Sequence, residues 1–365
     1  MLHIEIETVW RFHKADSPQN VVVMLGVLNE IRKTGKITSA ANDARLSYRH
    51  VWNLIEHWSQ FFGVALVETR RGKGSRLTPF GEKLVWAGER MQARLGPQLE
   101  NLAQELATEI KPFLQQRPSV IRVHASHGFA VSKLRELLDR EPGIGVDLRY
   151  VSNQHSLASL AQGACDLSGV HLPRGELHMQ GVQACKEWLD PRQHRVISFV
   201  TREMGLMVKR GNPLKINALK DIANKTVRFV NRDHDSGTRL LFDQLLALQG
   251  IDEADINGAQ QIEFTHAAVA AYVASGMADV AFGVEAAARH FNLDFIRLLT
   301  EDYVFVCRQP FLETEAMQRV LDLMKGREFH QAIAALPGYE ATNTGAVYTV
   351  REFLDQIDAM GSRSP

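Results

Sequence analysis

Residues 226–241 read TVRFVNRDHDSGTRLL and gather Asn231, Arg232, Asp233, His234, Asp235, Ser236, Thr238 and Arg239 between two apolar runs. Three chemistries use such residue types. A nucleophilic relay needs a serine touching a histidine and that histidine touching an aspartate. Adjacent positions do not make this arrangement, and no G-x-S-x-G elbow is present. A nucleotide phosphate loop needs G-x-x-x-x-G-K-[ST], which is also missing. The third is anion binding at a helix start. Ser236-Gly237-Thr238 opens a helical run carrying Leu240, Leu241 and Leu245; its hydroxyls and free N–H groups attract negative charge, and Gly237 lets the backbone approach. Arg232 or Arg239 adds a charged fork. The plain alternative is a helix cap, with Arg239 in a surface salt bridge. The reading is a cradle for a small anion, with no catalytic residues.

The elements that position this cradle begin near residue 118. SVIRVHAS, GVDLRYV and CDLSGVHL read as strands, separated by the helical HGFAVSKLRELLDRE and HSLASLAQG. A second set follows: TVRFV, a helix over 236–249, QIEFT, AAVAAYVASG, ADVAFGV and AAARHF. Strands alternating with helices imply parallel βαβ units in doubly wound sheets. Two extended connectors, VISFVTREMGLMVKRGNP and DFIRLLTEDYVFVCRQ, join the sets, and a C-terminal helix pair is expected. In such folds a ligand lies beyond the carboxyl ends of the strands, between two lobes. The candidate ligand residues are therefore Ser126, His127, Ser152, Asn153 and Ser156 on one side. On the other are Asn231, Arg232, Ser236, Gly237, Thr238, Arg239 and Glu285.

The first hundred residues have a different pattern. Leu25, Leu28 and Ile31 stripe one helix, which Gly35 ends. Thr38 or Ser39 caps a short second helix carrying Ala40, Ala41 and Ala44. After a tight turn at Arg45–Leu46, Ser47 caps a third helix. There Val51, Leu54, Ile55 and Trp58 face inward, with Trp52 expected at the core margin, and Arg49, Asn53, Glu56 and His57 point outward. A short helix, a turn and a longer helix with a polar outer face form a helix-turn-helix, whose second helix fits the DNA major groove. The basic tip of ALVETRRGKGSRLT follows as a wing along phosphates. Candidate DNA contacts are Thr38, Ser39, Ser47, Tyr48, Arg49, Asn53 and His57, with Arg70, Arg71, Lys73 and Arg76 in the wing. Beyond it, Leu84, Met91, Leu95, Leu99, Leu102, Leu106 and Ile110 mark a long amphipathic helix whose seam suits a second copy of the chain, with Pro97 expected to kink or break it.

The bulk composition is that of a soluble globular chain: 365 residues, 45% hydrophobic and 23% charged, with a net charge of zero. Residues 1–117 hold 16 Lys+Arg against 12 Asp+Glu, and the remainder 26 against 30. A mildly basic head on a mildly acidic body fits two different partners. Cys165, Cys185 and Cys307 lie far apart and are expected as reduced thiols, and no metal-ligand spacing occurs among the fourteen histidines. With no secretory leader pattern and no membrane-length apolar run, a cytoplasmic location is expected.

The segments GKITSAANDARLSYRHVWNLIEHW and RRGKGSRLTPFGEKLV closely resemble the winged helix-turn-helix of ModE-like regulators and, more distantly, of LysR-type regulators. Arg45 departs from the pattern, since many such turns place Gly there. ASHGFAVSKL, SLASLAQGACDLSGVHL, GLMVKRGNPLKI, RFVNRDHDSGTRLLFDQLL and THAAVAAYVASGMADVAFGVEAAARHFNLDF resemble the periplasmic-binding-protein-like domain fused to such heads. The resemblance implies an α+β multidomain chain: a winged helix-turn-helix over 1–82, a linker and dimerisation helix over 83–116, and a bilobal α/β domain over 117–365. Lobe I is expected at about 117–199 and 303–365, and lobe II at about 200–302. The implied function is a ligand-responsive transcription regulator, a homodimer or tetramer on double-stranded DNA with no membrane partner. Its implied effector is a molybdenum-related oxyanion, molybdate or tungstate; an organic anion or a molybdopterin-type ligand is the alternative, and a molybdenum-cofactor-related enzyme or binding protein the rival class.

Overall fold

The structure, a computed structural model, describes residues 4–14, 17–70, 74–110 and 119–361. The chain divides into two compact units, one spanning Ile6–Gly96 and the other built from Pro97 onward together with the first five residues.

The smaller unit opens with a hairpin, β1 (Arg11–Lys14) and β2 (Ser17–Asn20), that sequence periodicity does not announce. Helices α1 (Val22–Thr34), α2 (Ile37–Asp43) and α3 (Tyr48–Phe62) follow, then the two-stranded wing, β3 (Val67–Arg70) and β4 (Gly74–Leu77). Their core contains Met24, Leu28, Ile31, Val51, Ile55 and Trp58. Gly35 ends α1 with a φ of 69°, and Ser47 caps α3 by accepting from the His50 N–H at 3.2 Å. Helix α2 begins two or three residues earlier than the sequence suggests, after Lys36, so Thr38 and Ser39 lie within its first turn and do not cap it. Arg45 takes the left-handed conformation, φ 54°, that glycine would fill more cheaply.

Helix α4 runs from Pro79 to Ile110 with Pro97 inside it, so the expected break does not occur. A proline removes one N–H and crowds the preceding turn, and here the helical assignment continues on both sides. Leu84 and Val85, in its first turns, belong to the core of the smaller unit, which is why that unit extends past the wing.

The larger unit carries one sheet with the path order β10-β9-β11-β8-β12-β7-β5-β6. One set of parallel strands is β5 (Ser119–Ala125), β6 (Ile144–Tyr150) and β7 (Leu167–Pro173), with helices α5 (Phe129–Leu138), α6 (Asn153–Ala161) and α7 (His178–Lys186). The other is β9 (Phe229–Arg232), β10 (Ile262–Glu263) and β11 (Val280–Val284), with α8 (Gly237–Leu248), α9 (His266–Ala274) and α10 (Glu285–His290). The two connectors are β8 (His194–Val208) and β12 (Asp294–Arg308), 15 residues each, which pair antiparallel along almost their whole length. β7 joins β12 at 301–307 and β11 joins β8 at 204–208, so one ribbon serves both lobes. The sheet is thus mixed rather than purely parallel. A Cβ on Gly205 would lie 2.1 Å from the Ile296 carbonyl oxygen, so only glycine permits the close crossing there.

The C-terminal region holds more than a helix pair: α11 (Gln309–Leu312), α12 (Glu315–Lys325), α13 (Arg327–Ala334), β13 (Tyr339–Glu340), β14 (Val347–Thr349) and α14 (Val350–Gly361). Both short strands pair with β8. Among the described residues no helix is long and apolar enough to cross a membrane.

Candidate functional site

The face of α3 away from the core presents Tyr48, Arg49, Asn53, Glu56 and His57, as its spacing predicts. Trp52 stands on that face at 43% exposure, a correction to its expected place at the core margin. Thr38 is exposed and Ser39 half-buried. In the wing, Arg76 pairs with Glu68 across the hairpin at 3.2 Å, with both side chains largely in water. Arg70 closes β3 opposite Gly74; its side chain, and Arg71 and Lys73 altogether, lie outside the described residues.

In the larger unit the strand ends converge as the βαβ reading requires. A cavity of about 250 Å³ is lined by Ser152, Asn153 and His171 from lobe I, by His234, Asp235, Ser236 and Gly237 from lobe II, and by Glu301 of β12. Ser152 caps α6 and lies 2.9 Å from the His155 ring Nδ1. Asn153 donates to the His171 carbonyl at 3.2 Å, and a Cβ on Gly237 would sit 3.6 Å from the Asn153 amide nitrogen. The start of α8 therefore faces the start of α6 across the cleft. Ser236 occupies the N-cap position of α8 but makes no side-chain cap bond, unlike Ser47, Ser152, Thr265 and Thr314. Its hydroxyl is thus not used as a cap, and Ser236 and Gly237 line the cavity at the start of α8.

Beside the cavity lies a buried cluster of bases from both lobes. Arg232 donates to the Phe264 carbonyl at 2.9 Å, its Nε has no hydrogen-bond partner, and its nearest carboxylate is Asp233 at 3.9 Å. Burial, reinforced by Arg202 and opposed by Asp233, pushes its guanidinium down to about 10. Arg202 is itself neutralised by Glu301 at 2.7 Å, both almost fully buried. Burial and then the Arg232 charge press His127 down to about 4. His171 and His266 are held well below the usual imidazole range by burial first, then by Arg202 for His171 and by Arg232 and Arg202 for His266. Neither ring nitrogen of His171 has a partner; His266 places its Nε2 3.3 Å from the Thr238 hydroxyl and leaves Nδ1 unpartnered. Burial first, and the charges of Arg232 and Arg202 second, keep three imidazoles neutral beside a guanidinium, and a cationic group so placed is suited to an anion. Among the described residues no group of three or more His, Cys, Asp or Glu is arranged to hold a metal ion.

Several predicted ligand residues are committed elsewhere. Arg239 is buried and bound to Asp243 at 2.8 Å and Glu253 at 2.7 Å through Nε and Nη2; its Nη1 has no partner, and it does not line the cavity. Ser156 is fully buried between the His124 carbonyl and Ser168, at 2.6 and 2.7 Å. Glu285 pairs with Arg289 one turn along α10. Asn231 is buried, donating to the Ala259 carbonyl at 3.4 Å and accepting from the Arg232 N–H at 2.9 Å. Ser126 stays near the cleft, 3.4 Å from Asn153. Sequence reasoning assigned neither His266 nor His171 to the site. The three cysteines are free and buried.

Two comparisons define the class. Residues 134–325 match the PBP superfamily domain, and residues 23–82 match the bacterial regulatory helix-turn-helix protein, lysR family. The chain belongs to the PBP superfamily, and its residues 23–82 are similar to the lysR-family regulatory helix-turn-helix. It is 33% identical over 199 residues to the uncharacterized protein YvgK of Bacillus subtilis (strain 168), covering 54% of this chain and 64% of that protein. It is also 33% identical over 111 residues to an uncharacterized protein in the ferredoxin 2Fe-2S gene 5' region of Clostridium pasteurianum, covering 30% of this chain and 98% of that one. Among solved structures, the Corynebacterium glutamicum OxyR C206 mutant aligns over 86% of this chain and 93% of its own at 16% identity and a TM-score of 0.42. A putative phosphate ABC transporter substrate-binding protein with bound phosphate from Clostridium perfringens aligns over 60% and 97% at 12% identity and a TM-score of 0.45.

Proposed function

We propose that the chain is a cytoplasmic, DNA-binding transcription regulator whose promoter affinity responds to a small anion held between the two lobes of its larger unit. The observation that carries the reading is the outward face of α3, where Tyr48, Arg49, Trp52 and Asn53 stand exposed one turn beyond the Ser47 cap, in a chain that also holds a cleft rich in buried bases. Arg49 and Asn53 have the side chains that pair with guanine and adenine edges, while Ser47, Thr38 and the wing arginines suit phosphates. The regulator acts as a homodimer or tetramer: Leu102, Leu106 and Ile110 leave 50%, 44% and 39% of their surface in water along one side of α4, an apolar stripe that a second copy would cover.

Molybdate and tungstate are the first effectors to test, because a tetrahedral oxyanion suits the Ser236 hydroxyl, the N–H groups of α8 and the buried bases. An organic anion or a molybdopterin-type ligand is the second reading, favoured by the mixed lining of the cavity, where Leu157, Leu240 and Leu241 accompany the polar groups. Gel shifts with candidate promoter fragments at two salt concentrations test the regulator. Expected is sequence-selective binding that weakens steeply with salt; its absence sinks the reading. Thermal-shift screening with molybdate, tungstate, sulfate, formate and pterins tests the effector class.

A further inference from the structure

We infer that His127, His171, Arg232 and His266 form one head-group pocket for a compact, doubly charged oxyanion, and that the oxyanion enters together with a proton taken from solvent. This rests on the anion reading of the cleft.

Of the nine buried side-chain nitrogens that lack a hydrogen-bond partner among the described residues, four belong to this cluster: both ring nitrogens of His171, Nδ1 of His266 and Nε of Arg232. Buried polar groups are nearly always satisfied, and each exception costs free energy that a ligand can recover. The four atoms come from β7, the start of α9 and the end of β9, so they lie on both lobes, and His127 follows β5. His266 feels the charges of Arg232, Arg202, His171 and His127, which marks the groups as one neighbourhood. A ligand bound here therefore touches both lobes at once.

Of the other groups around these bases, Asp233 and Glu263 are the carboxylates left to bring negative charge. Tyr150 packs edge-on to His127 with ring centres 4.8 Å apart, and Tyr303 lies 3.7 Å from His171 by the same measure; burial raises both phenols, so both stay neutral. Thr238 is a neutral hydroxyl beside His266. Glu301 is spent on Arg202. That leaves Asp233 at 3.9 Å from Arg232, and Glu263, in register with Arg232 on the neighbouring strand.

A neutral imidazole has one donor and one acceptor nitrogen, and the acceptor lone pair repels an oxyanion. Burial is the first cause of the neutral rings and the arginine charges the second; two negative charges placed against a ring oppose both, so one ring takes a proton from water and becomes a double donor. The proton forms one new N–H bond, and no bond in the oxyanion forms or breaks.

Calorimetric titration of the full-length chain with molybdate and with sulfate, in PIPES and in Tris at pH 7, counts protons taken up per anion. Expected is close to one, with affinity rising about tenfold for each unit the pH is lowered toward neutrality, and loss of uptake in at least one of His127→Asn, His171→Asn and His266→Asn. Binding without proton uptake, or uptake that survives all three substitutions singly, overturns the inference and leaves the anion reading intact. The same holds if only carboxylates bind. Failure of every anion to bind removes both.

Discussion

Arg239 is bound within lobe II: it donates to Glu253 at 2.7 Å and to Asp243, four residues on, at 2.8 Å. An arginine in the first turn of α8 thus serves the fold of lobe II. Arg239→Ala leaves two carboxylates facing each other beside a small void. The expected outcome is a loss of about 2 kcal/mol in urea unfolding, discounted because both carboxylates are partly hydrated, with anion affinity unchanged. A large fall in affinity at unchanged stability would show that Arg239 turns toward the ligand.

Stability of the anion-free chain should fall on mild acidification. His127 has its imidazole at about 4 against an ordinary 6.5. Below pH 6.5 the unfolded chain therefore binds protons that the folded one refuses, and stability is lost progressively from 6.5 down to about 4. His171 and His266 act in the same direction. Between pH 6.5 and 5, His127 alone contributes a loss of roughly 2 kcal/mol. Urea melts at the two pH values check this, and a saturating oxyanion should restore much of the loss.

The exposed stripe on α4 predicts a dimer that one charge disrupts. Leu106→Glu should give a monomer at micromolar concentration in sedimentation, with its thermal unfolding unchanged because Leu106 packs on nothing in its own unit that keeps it dry. Affinity for DNA carrying two half-sites should fall by about tenfold or more, since the second head no longer binds as part of the same particle. An unchanged dimer would place the interface elsewhere.

Base reading and phosphate contact should separate on the head. Arg49→Ala should cost about 1–3 kcal/mol on the preferred sequence and little on others. Arg70→Ala and Arg71→Ala should weaken all sequences alike and flatten the salt dependence by about one counterion each. Equal loss of specificity at all three positions would contradict the assignment. Competition binding at two salt concentrations distinguishes the cases.

The head was readable because its core residues recur on one helix face: Val51, Ile55 and Trp58 are at most 7% exposed, as their spacing requires. The hairpin β1–β2 carries no such signal, being two four-residue strands without a clean alternation. Strands alternating with helices were equally plain, whereas the antiparallel pairing of β8 with β12 depends on contacts about a hundred residues apart. Within the site, Ser236 and Gly237 announced themselves as a helix start. His171 did not, because every residue of β7 is buried and its sequence reads simply as core. The Arg239–Asp243 spacing of four was the available sign that this arginine stays on its own helix.

The paired strands β8 and β12 run through both halves of the larger unit, and their register slips at Arg297/Leu299 and at Tyr303/Val304. Such a double band resists bending in its own plane but accepts added twist, most readily where its ladder is interrupted. It therefore works as a torsion bar. Under the proposed function, a ligand that drew the lobes together would rotate them about the band's own length. Whatever is fastened to one lobe then receives a turn, with little sideways displacement.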